Sequence, residues 1–399
     1  MAKDTRPNLL VYRFTQALAW ILSVFVFGRI VRRNEIRNRK GPFIVVGNHE
    51  CALDFVNLIG LSSRPMRFVI SYCIFNTLPV RKLAALLGVI PKQQFQTKPS
   101  DLRRMKRILD NGDPILIYPA GLMCEDGLST PIPTATYKFL KWLDVDVYAA
   151  RTTGAYMVMP KWAKGMRRGK TYMDVYKILD KEELAAMSES QIRARVDEAL
   201  LFDAYREEDD GNILSNGNRE IAGLENVLYM CPECGSECST ETEHDIIRCR
   251  VCGFTERSDR KAVLAKLEGP GNELRYVSDW SRMIREKTRS QILDGTLSEL
   301  EGNTVIQLLD LKHRKFVDAG KGLLHLSRGE FRFTGTLDGE DVEMKIPIGN
   351  IPTLPFKPGH HIEIQHGDTI YRCVMEDRQM MMKYVNMVEL FYELDHTAV

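Results

Sequence analysis

Apolar positions fall into two regimes along the chain. In the first half, short unbroken runs such as Phe43-Ile-Val-Val46 and Pro114-Ile-Leu-Ile-Tyr118 are separated by segments of helical period. An unbroken run of four or five apolar residues fits a strand buried on both faces, and the segments between fit crossover helices. The pattern predicts strands over 43–46, 66–71, 114–118 and 145–150. It predicts helices over 52–61, 78–87, 100–109 and 138–143, with Ser100 as an N-cap and Gly88 and Asn111-Gly112 as stops. Such alternation defines an α/β domain: a mostly parallel sheet flanked by helices. Asp180 caps a charged helix over about 181–207, and a polar Gly/Asn-rich stretch over 208–219 marks a boundary. A further helix is predicted over 278–293. From residue 304 the period shortens to six strands, over 304–309, 322–326, 330–334, 342–346, 361–365 and 369–374, closed by a helix over 378–394.

Residues 9–27 form the most apolar stretch, interrupted by Arg13, Thr15, Gln16 and Ser23. Its length is borderline for crossing a bilayer, which takes about 20 apolar residues. A basic run follows: Arg29, Arg32, Arg33, Arg37, Arg39 and Lys40. Apolar stretch and basic flank together fit an anchor lying in the membrane interface; a spanning helix and a buried amphipathic helix are the alternatives. The stretch lacks a small-residue cleavage site and is not read as a secretory signal.

At 399 residues, 44% hydrophobic and 27% charged, the chain has the composition of two or three globular domains, not of a disordered or polytopic membrane protein. The formal charge is only +2, so no global field points to nucleic acid. Residues 1–40 carry nine Lys/Arg against two Asp/Glu, a formal +7 that leaves −5 for the rest.

The chemistry concentrates at Gly47-Asn48-His49-Glu50-Cys51-Ala52-Leu53-Asp54. His49 is the only histidine in the first 240 residues and follows a buried strand, where open α/β sheets place ligands. On one continuous helix Asp54 would lie about 140° away from His49. The pair meets only if His49 sits in the turn and Asp54 on the next helix. That geometry would make a catalytic dyad: the carboxylate fixes the tautomer and Nε2 is left as a general base. A polar cap with an exposed Asp54 is the plainer reading.

Asn48-His49-x4-Asp54 after an apolar strand resembles the first motif of the glycerolipid acyltransferases, the 1-acylglycerol-3-phosphate acyltransferase family. Three further segments fall in the family's order: Leu87-Gly88-Val89-Ile90-Pro91-Lys92-Gln93-Gln94, Tyr118-Pro119-Ala120-Gly121-Leu122-Met123, and the strand over 145–154 ending in Gly154. The resemblance covers about residues 10–210. It implies direct acyl transfer from acyl-CoA or acyl carrier protein to the hydroxyl of a lysophospholipid. His49 is implied as base, Asp54 as its partner, and Asn48, Lys92, Pro119 and Gly121 as substrate contacts. Backbone N–H groups near Gly121 are implied for the oxyanion. Membrane lipids are the implied partners, with the domain on the cytoplasmic side of a membrane. Cys51 has no catalytic role in that pattern. The sequence departs from the family where Ala120 and Met123 replace Glu and Arg, and where Gln94 replaces Arg. In the family those groups help hold the acceptor phosphate. Lys92, Arg151 and Lys161 are possible replacement cations, and Glu125 and Asp126 replacement carboxylates. The changed motif keeps open a second reading, a lipid-binding membrane scaffold with a decayed active site.

Cys231-x2-Cys234-Gly and Cys249-x2-Cys252-Gly have the spacing of a four-thiolate zinc ribbon, in which each glycine lets the backbone turn round a structural Zn²⁺. The remaining five of nine cysteines make no framework. Cys238 and His244 are bystanders, and the short, mildly basic ribbon fits an interaction role better than nucleic-acid binding. Residues 301–399 are similar to a small pleckstrin-homology-like barrel. The chain thus divides into an anchor and basic run (1–40), an acyltransferase domain (41–210), a zinc ribbon (225–256), a helical linker (257–300) and a small β-rich domain (301–399). Nothing in the sequence sets an oligomeric state.

Overall fold

The computed structural model describes residues 6–77, 81–94, 98–207, 220–259, 263–268 and 274–396. The boundary stretch over 208–219 and the start of the helix predicted over 78–87 lie outside these residues. The chain divides into two compact units, residues 1–160 with 166–215 and residues 161–165 with 216–399.

The first unit begins with α1 (Leu9–Phe25), β1 (Arg29–Asn34), β2 (Phe43–Gly47), α2 (Asp54–Leu58) and β3 (Arg67–Ser71). It continues through α3 (Tyr72–Thr77), α4 (Arg81–Leu86), β4 (Ile90–Lys92), α5 (Pro99–Asp110), β5 (Ile115–Ile117) and α6 (Ala135–Leu143). β6 (Asp146–Thr153), α7 (Ala155–Val158), β7 (Thr171–Leu179), α8 (Lys181–Ala186), α9 (Glu189–Leu200) and α10 (Ala204–Glu207) complete it. The strands make one sheet in the order β1-β7-β6-β2-β5-β3-β4. Every neighbouring pair is parallel except β6 with β7. β2 is buried along its whole length. Ile44 and Val46 pack on one face with α5, α6 and α9, and Phe43 and Val45 on the other with α1 and α2. The unbroken apolar run is thus a central strand covered on both sides.

In the first unit three strands escaped the sequence reading, β1, the short β4 and β7. β1 carries three arginines and exposes four of its six residues, so it has no apolar run to mark it. It is an edge strand, and its register on β7 holds it in place. Half of the basic run is paired with acids: Arg32 meets Asp174, Arg33 meets Glu35 and Arg39 meets Asp146. β7 buries Thr171, Met173 and Val175 between more polar neighbours, a half-buried alternation. The predicted helix over 181–207 is broken at Met187, because Ser188 starts a second helix with its own capping box to Gln191. Ser100 lies inside α5 and is not its cap; Lys98 holds that position without a side-chain bond, ahead of Pro99.

α1 is 17 residues long, about 25 Å, and no helix among the described residues is long and apolar enough to cross a membrane. Its inner face buries Tyr12, Ala19 and Ser23, and the Tyr12 hydroxyl accepts the Met66 N–H at 2.9 Å. Leu10, Phe14, Leu18, Ile21 and Phe25 are exposed. At 100° per residue these five share an arc of about 80°.

The second unit carries β8 (Thr240–Glu243), β9 (Ile246–Cys249), β10 (Thr255–Ser258) and β11 (Leu264–Glu268) as one antiparallel sheet, followed by α11 (Val277–Leu293). A second antiparallel sheet follows: β12 (Glu299–Asp310), β13 (Lys315–Ser327), β14 (Glu330–Leu337), β15 (Glu340–Pro347), β16 (Phe356–Lys357), β17 (His361–His366) and β18 (Thr369–Met375), in the order β15-β14-β13-β12-β18-β17-β16. α12 (Met380–His396) closes it. Tyr384 of α12 stacks on Phe331 and donates its hydroxyl to the Leu324 carbonyl at 2.8 Å. Met381 and Met382 are core, as their apolar character predicts. The six predicted strands are all present, and the added one, β16, is only two residues long.

Candidate active site and cysteine cluster

The site of the first unit is a turn, residues 47–54, at the carboxyl end of β2 between β5 and β6. Gly47 is required there: a Cβ would fall 2.9 Å from Cε1 of Tyr118. The Tyr118 ring instead lies flat on the His49 imidazole, with centroids 4.2 Å apart and planes 17° apart. His49 sits in the turn and Asp54 opens α2, and the His49 Nδ1 to Asp54 Oδ2 distance is 2.9 Å. Asp54 Oδ2 also accepts the N–H groups of Glu50 and Cys51, at 2.8 and 3.0 Å. Its Oδ1 accepts the Cys51 thiol at 3.2 Å. A carboxylate with no exposure is stable only when donors surround it, and here four do. With Nδ1 held by Asp54, Nε2 is the nitrogen left for substrate. Burial, then the charge of Asp54, pushes the Cys51 thiol well up, so it is a neutral donor rather than a nucleophile.

The turn is also tied to the sheet. Asn48 Nδ2 donates to the Thr152 carbonyl and Thr152 N–H donates to Asn48 Oδ1, both at 2.7 Å. Glu50, fully buried, accepts Asn48 Nδ2 at 3.2 Å and Tyr156 N–H at 2.9 Å. Cys124 N–H donates to the His49 carbonyl at 3.2 Å. Glu50 and Tyr118 were missed as site residues; an acid between two buried positions was the signal for the first.

His49 and Asn48 line a narrow cleft, partly open to solvent, with Pro119, Ala120, Ser129 and Thr130. Leu200, Leu201 and Phe202 form the far wall. Four residues proposed from the sequence as substrate contacts take different places. Pro119 lines the cleft. Asn48 borders it, but its amide is spent on Thr152 and Glu50. Gly121, at φ +75°, is not a lining residue: its N–H donates to the Tyr118 carbonyl and its carbonyl accepts Gln94 Nε2 at 2.8 Å. The N–H of Gly121 itself is therefore engaged within its own turn, not offered as one of the oxyanion donors expected near that residue. Lys92 is not a lining residue either; its half-buried ammonium donates to the Gln93 carbonyl, and burial lowers its pKa. Arg151 is committed to Ala199 O, Leu201 O and Glu207, and Lys161 belongs to the second unit.

In the second unit Cys231, Cys234, Cys249 and Cys252 place their sulfurs within 4.8 Å of one another. The Cys231–Cys252 and Cys234–Cys249 sulfur distances are 3.6 and 3.8 Å. A tetrahedral ion with metal–sulfur bonds of about 2.3 Å has sulfur–sulfur edges of about 3.8 Å. The donor set therefore fits Zn²⁺ held by these four thiolates. Gly235 and Gly253 follow the second cysteine of each pair at φ +72° and +77°, the left-handed turn each knuckle needs. Cys238 and His244 lie outside the cluster.

The structure thus places a His–Asp pair at the carboxyl ends of parallel strands, beside a small cleft. Residues 29–159 match the family described as Acyltransferase, and residues 224–255 match the family described as DNA directed RNA polymerase, 7 kDa subunit, a zinc-ribbon family. Among solved structures, the chain is similar to the 1-acyl-sn-glycerophosphate (LPA) acyltransferase PlsC from Thermotoga maritima. That match has 19% identity and a TM-score of 0.41, and covers 48% of this chain and 76% of that one. No curated protein matches the chain.

Proposed function

We propose that the first unit transfers a fatty acyl group from a thioester, acyl-CoA or acyl carrier protein, to the hydroxyl of a lysolipid at a membrane surface. The observation that carries this is the His49–Asp54 pair opening on the cleft. His49 Nε2 takes the hydroxyl proton as the alcohol oxygen bonds to the thioester carbonyl carbon. The tetrahedral intermediate then expels the thiolate with cleavage of the C–S bond, and the imidazolium returns the proton to sulfur. Asp54, 2.9 Å from Nδ1, stabilises the imidazolium between the two steps. The Tyr118 ring keeps the imidazole in plane. Purified protein should release thiol and form acylated lipid from acyl-CoA and lysolipid. His49→Ala should lower kcat by a factor on the order of 10²–10⁴. Unchanged turnover in that variant would favour another site, and the absence of any turnover would favour the scaffold reading.

The exposed α1 face supports the membrane part of this reading. Leu10, Phe14 and Phe25 are 84, 73 and 78% exposed, and burying such a side chain stabilises by about 1.5–3 kcal/mol. Because these contacts are apolar and phosphatidylcholine carries no net charge, binding to neutral phosphatidylcholine vesicles should persist at high salt. Leu10→Ser with Phe14→Ser should abolish it. The four thiolates are proposed to hold one structural Zn²⁺ with no part in the transfer.

A further inference from the structure

We infer that the acceptor, on the acyltransferase reading above, carries no phosphate monoester beside the hydroxyl it presents to His49. The cleft lined by His49 is the place for an acceptor hydroxyl on that reading, and among the described residues its lining carries no Lys, Arg, Asp or Glu. Its polar groups are the His49 imidazole, the Asn48 amide and the hydroxyls of Ser129 and Thr130; the rest is aliphatic, aromatic or backbone. None of the described lining residues is Lys or Arg.

A phosphate monoester brings about −1.5 to −2 charges and three strong acceptor oxygens. Taken into a cleft of low polarity it needs cationic donors at hydrogen-bond distance, preferably a forked guanidinium. Among the described residues of this unit, the two cations that the sequence offers as replacements, Arg151 and Lys92, are engaged by other groups. Arg151 lies behind the far wall: Nη1 donates to the carbonyls of Ala199 and Leu201, at 3.2 and 2.7 Å, and Nη2 pairs with Glu207. Its guanidinium also lies 5.7 Å from the centre of the Phe202 ring. To bind a phosphate Arg151 would have to release the very segment that shapes the cleft. It is a positioning residue for Leu200–Phe202, and it turns the apolar side of that segment toward His49. Gln94, which stands where the family has Arg, is a neutral amide already donating to the Gly121 carbonyl and accepting from the Ser71 hydroxyl at 3.2 Å. Lys92 points its ammonium at the Gln93 carbonyl.

What remains complementary is an alcohol flanked by carbon or by neutral oxygen. The Ser129 and Thr130 hydroxyls offer ordinary hydrogen bonds, and Ile132, Leu201 and Phe202 offer apolar contact. Monoacylglycerol and the lysophosphodiesters share this chemistry near the reacting hydroxyl. They differ in what they carry farther out.

The test uses the full chain in mixed micelles, with one acyl-CoA donor and three acceptors of equal acyl length: 1-acylglycerol-3-phosphate, 1-monoacylglycerol and 1-acylglycerophosphocholine. The expected result is a kcat/KM at least about tenfold higher for one or both acceptors without the monoester, and the comparison of those two identifies which. Equal or better use of 1-acylglycerol-3-phosphate overturns the inference while leaving the acyltransferase reading intact. Transfer to none of the three overturns the reading itself, and the inference with it. Thr130→Lys places a cation in the lining. It should move the ratio of phosphate to non-phosphate acceptor upward by several-fold, a readout independent of how much variant folds. An unmoved ratio would show that lining charge does not select the acceptor.

Discussion

The decisive perturbation is Asp54→Asn, because the structure specifies what it removes and what it keeps. The Glu50 and Cys51 N–H groups both point at Oδ2, the atom that also faces His49 Nδ1. In the variant the amide oxygen takes that position, because the NH₂ group would face two N–H donors. His49 keeps its acceptor and hence its tautomer, and only the negative charge is lost. For charges about 4 Å apart at an effective dielectric constant of 20, that charge stabilises the imidazolium by about 4 kcal/mol. At 1.36 kcal/mol per decade, kcat should fall about 10³-fold, with KM little changed. Asp54→Ala would also strand two backbone donors and confound catalysis with stability. The assay is thiol release from acyl-CoA under saturating acceptor, with circular dichroism to establish that the variant folds. A kcat within tenfold of wild type would refute the reasoning, since a carboxylate so placed could not then be assisting a protonated imidazole.

Three further outcomes are expected. The protein should contain one zinc per chain by elemental analysis, and Cys249→Ser should lose the metal and expose residues 224–255 to protease; full-length protein with intact, freely alkylated thiols and no zinc would contradict this. His361 is held at a pKa of about 3 by burial and by Arg372, so it stays neutral in the folded chain while the unfolded chain protonates near 6.5. Its contribution is therefore complete above pH 6.5 and is lost as pH falls toward about 3, by a few kcal/mol; unfolding midpoints across that range should flatten in His361→Phe. Asn48→Ala strands the buried N–H and C=O of Thr152, so it should lower Tm by several degrees; raised KM at unaltered Tm would instead return Asn48 to the substrate.

The central strands were legible because burial on both faces writes an unbroken apolar run, as in β2 and β5. The His49–Asp54 geometry was legible as a condition: at five residues of spacing the two side chains meet only as turn then helix, and the alternative of a polar cap with an exposed Asp54 gives way to a fully buried carboxylate. β1 was not, since Arg29, Arg32 and Arg33 fill an edge strand whose side chains reach solvent or a partner acid. Its place is decided by β7, which lies about 140 residues away in the chain. The fate of Gly121 was equally invisible. Whether a backbone N–H faces substrate or its own turn depends on φ and on the Tyr118 carbonyl, not on residue type. Lys92 failed for a related reason: a basic residue at the right sequence position donates to whatever its rotamer reaches.

Glu50 shows how the turn is specified from outside. A carboxylate and an amide buried side by side would each destabilise the fold without partners. Here Asn48 takes both backbone groups of Thr152 on β6, and Glu50 takes Tyr156 N–H just beyond that strand, so two buried polar side chains lock the turn onto one neighbour. Cys124 holds the His49 carbonyl from the segment after β5, and Tyr118 covers the ring from the same direction. The imidazole is thus oriented by two flanking strands as well as by Asp54, and its freedom to tilt is small before any substrate arrives. Preorganisation of that kind means that little reorganisation is left to oppose proton transfer. A scaffold with no chemistry to perform would have no comparable reason to hold an imidazole against a buried carboxylate at the lining of a cleft.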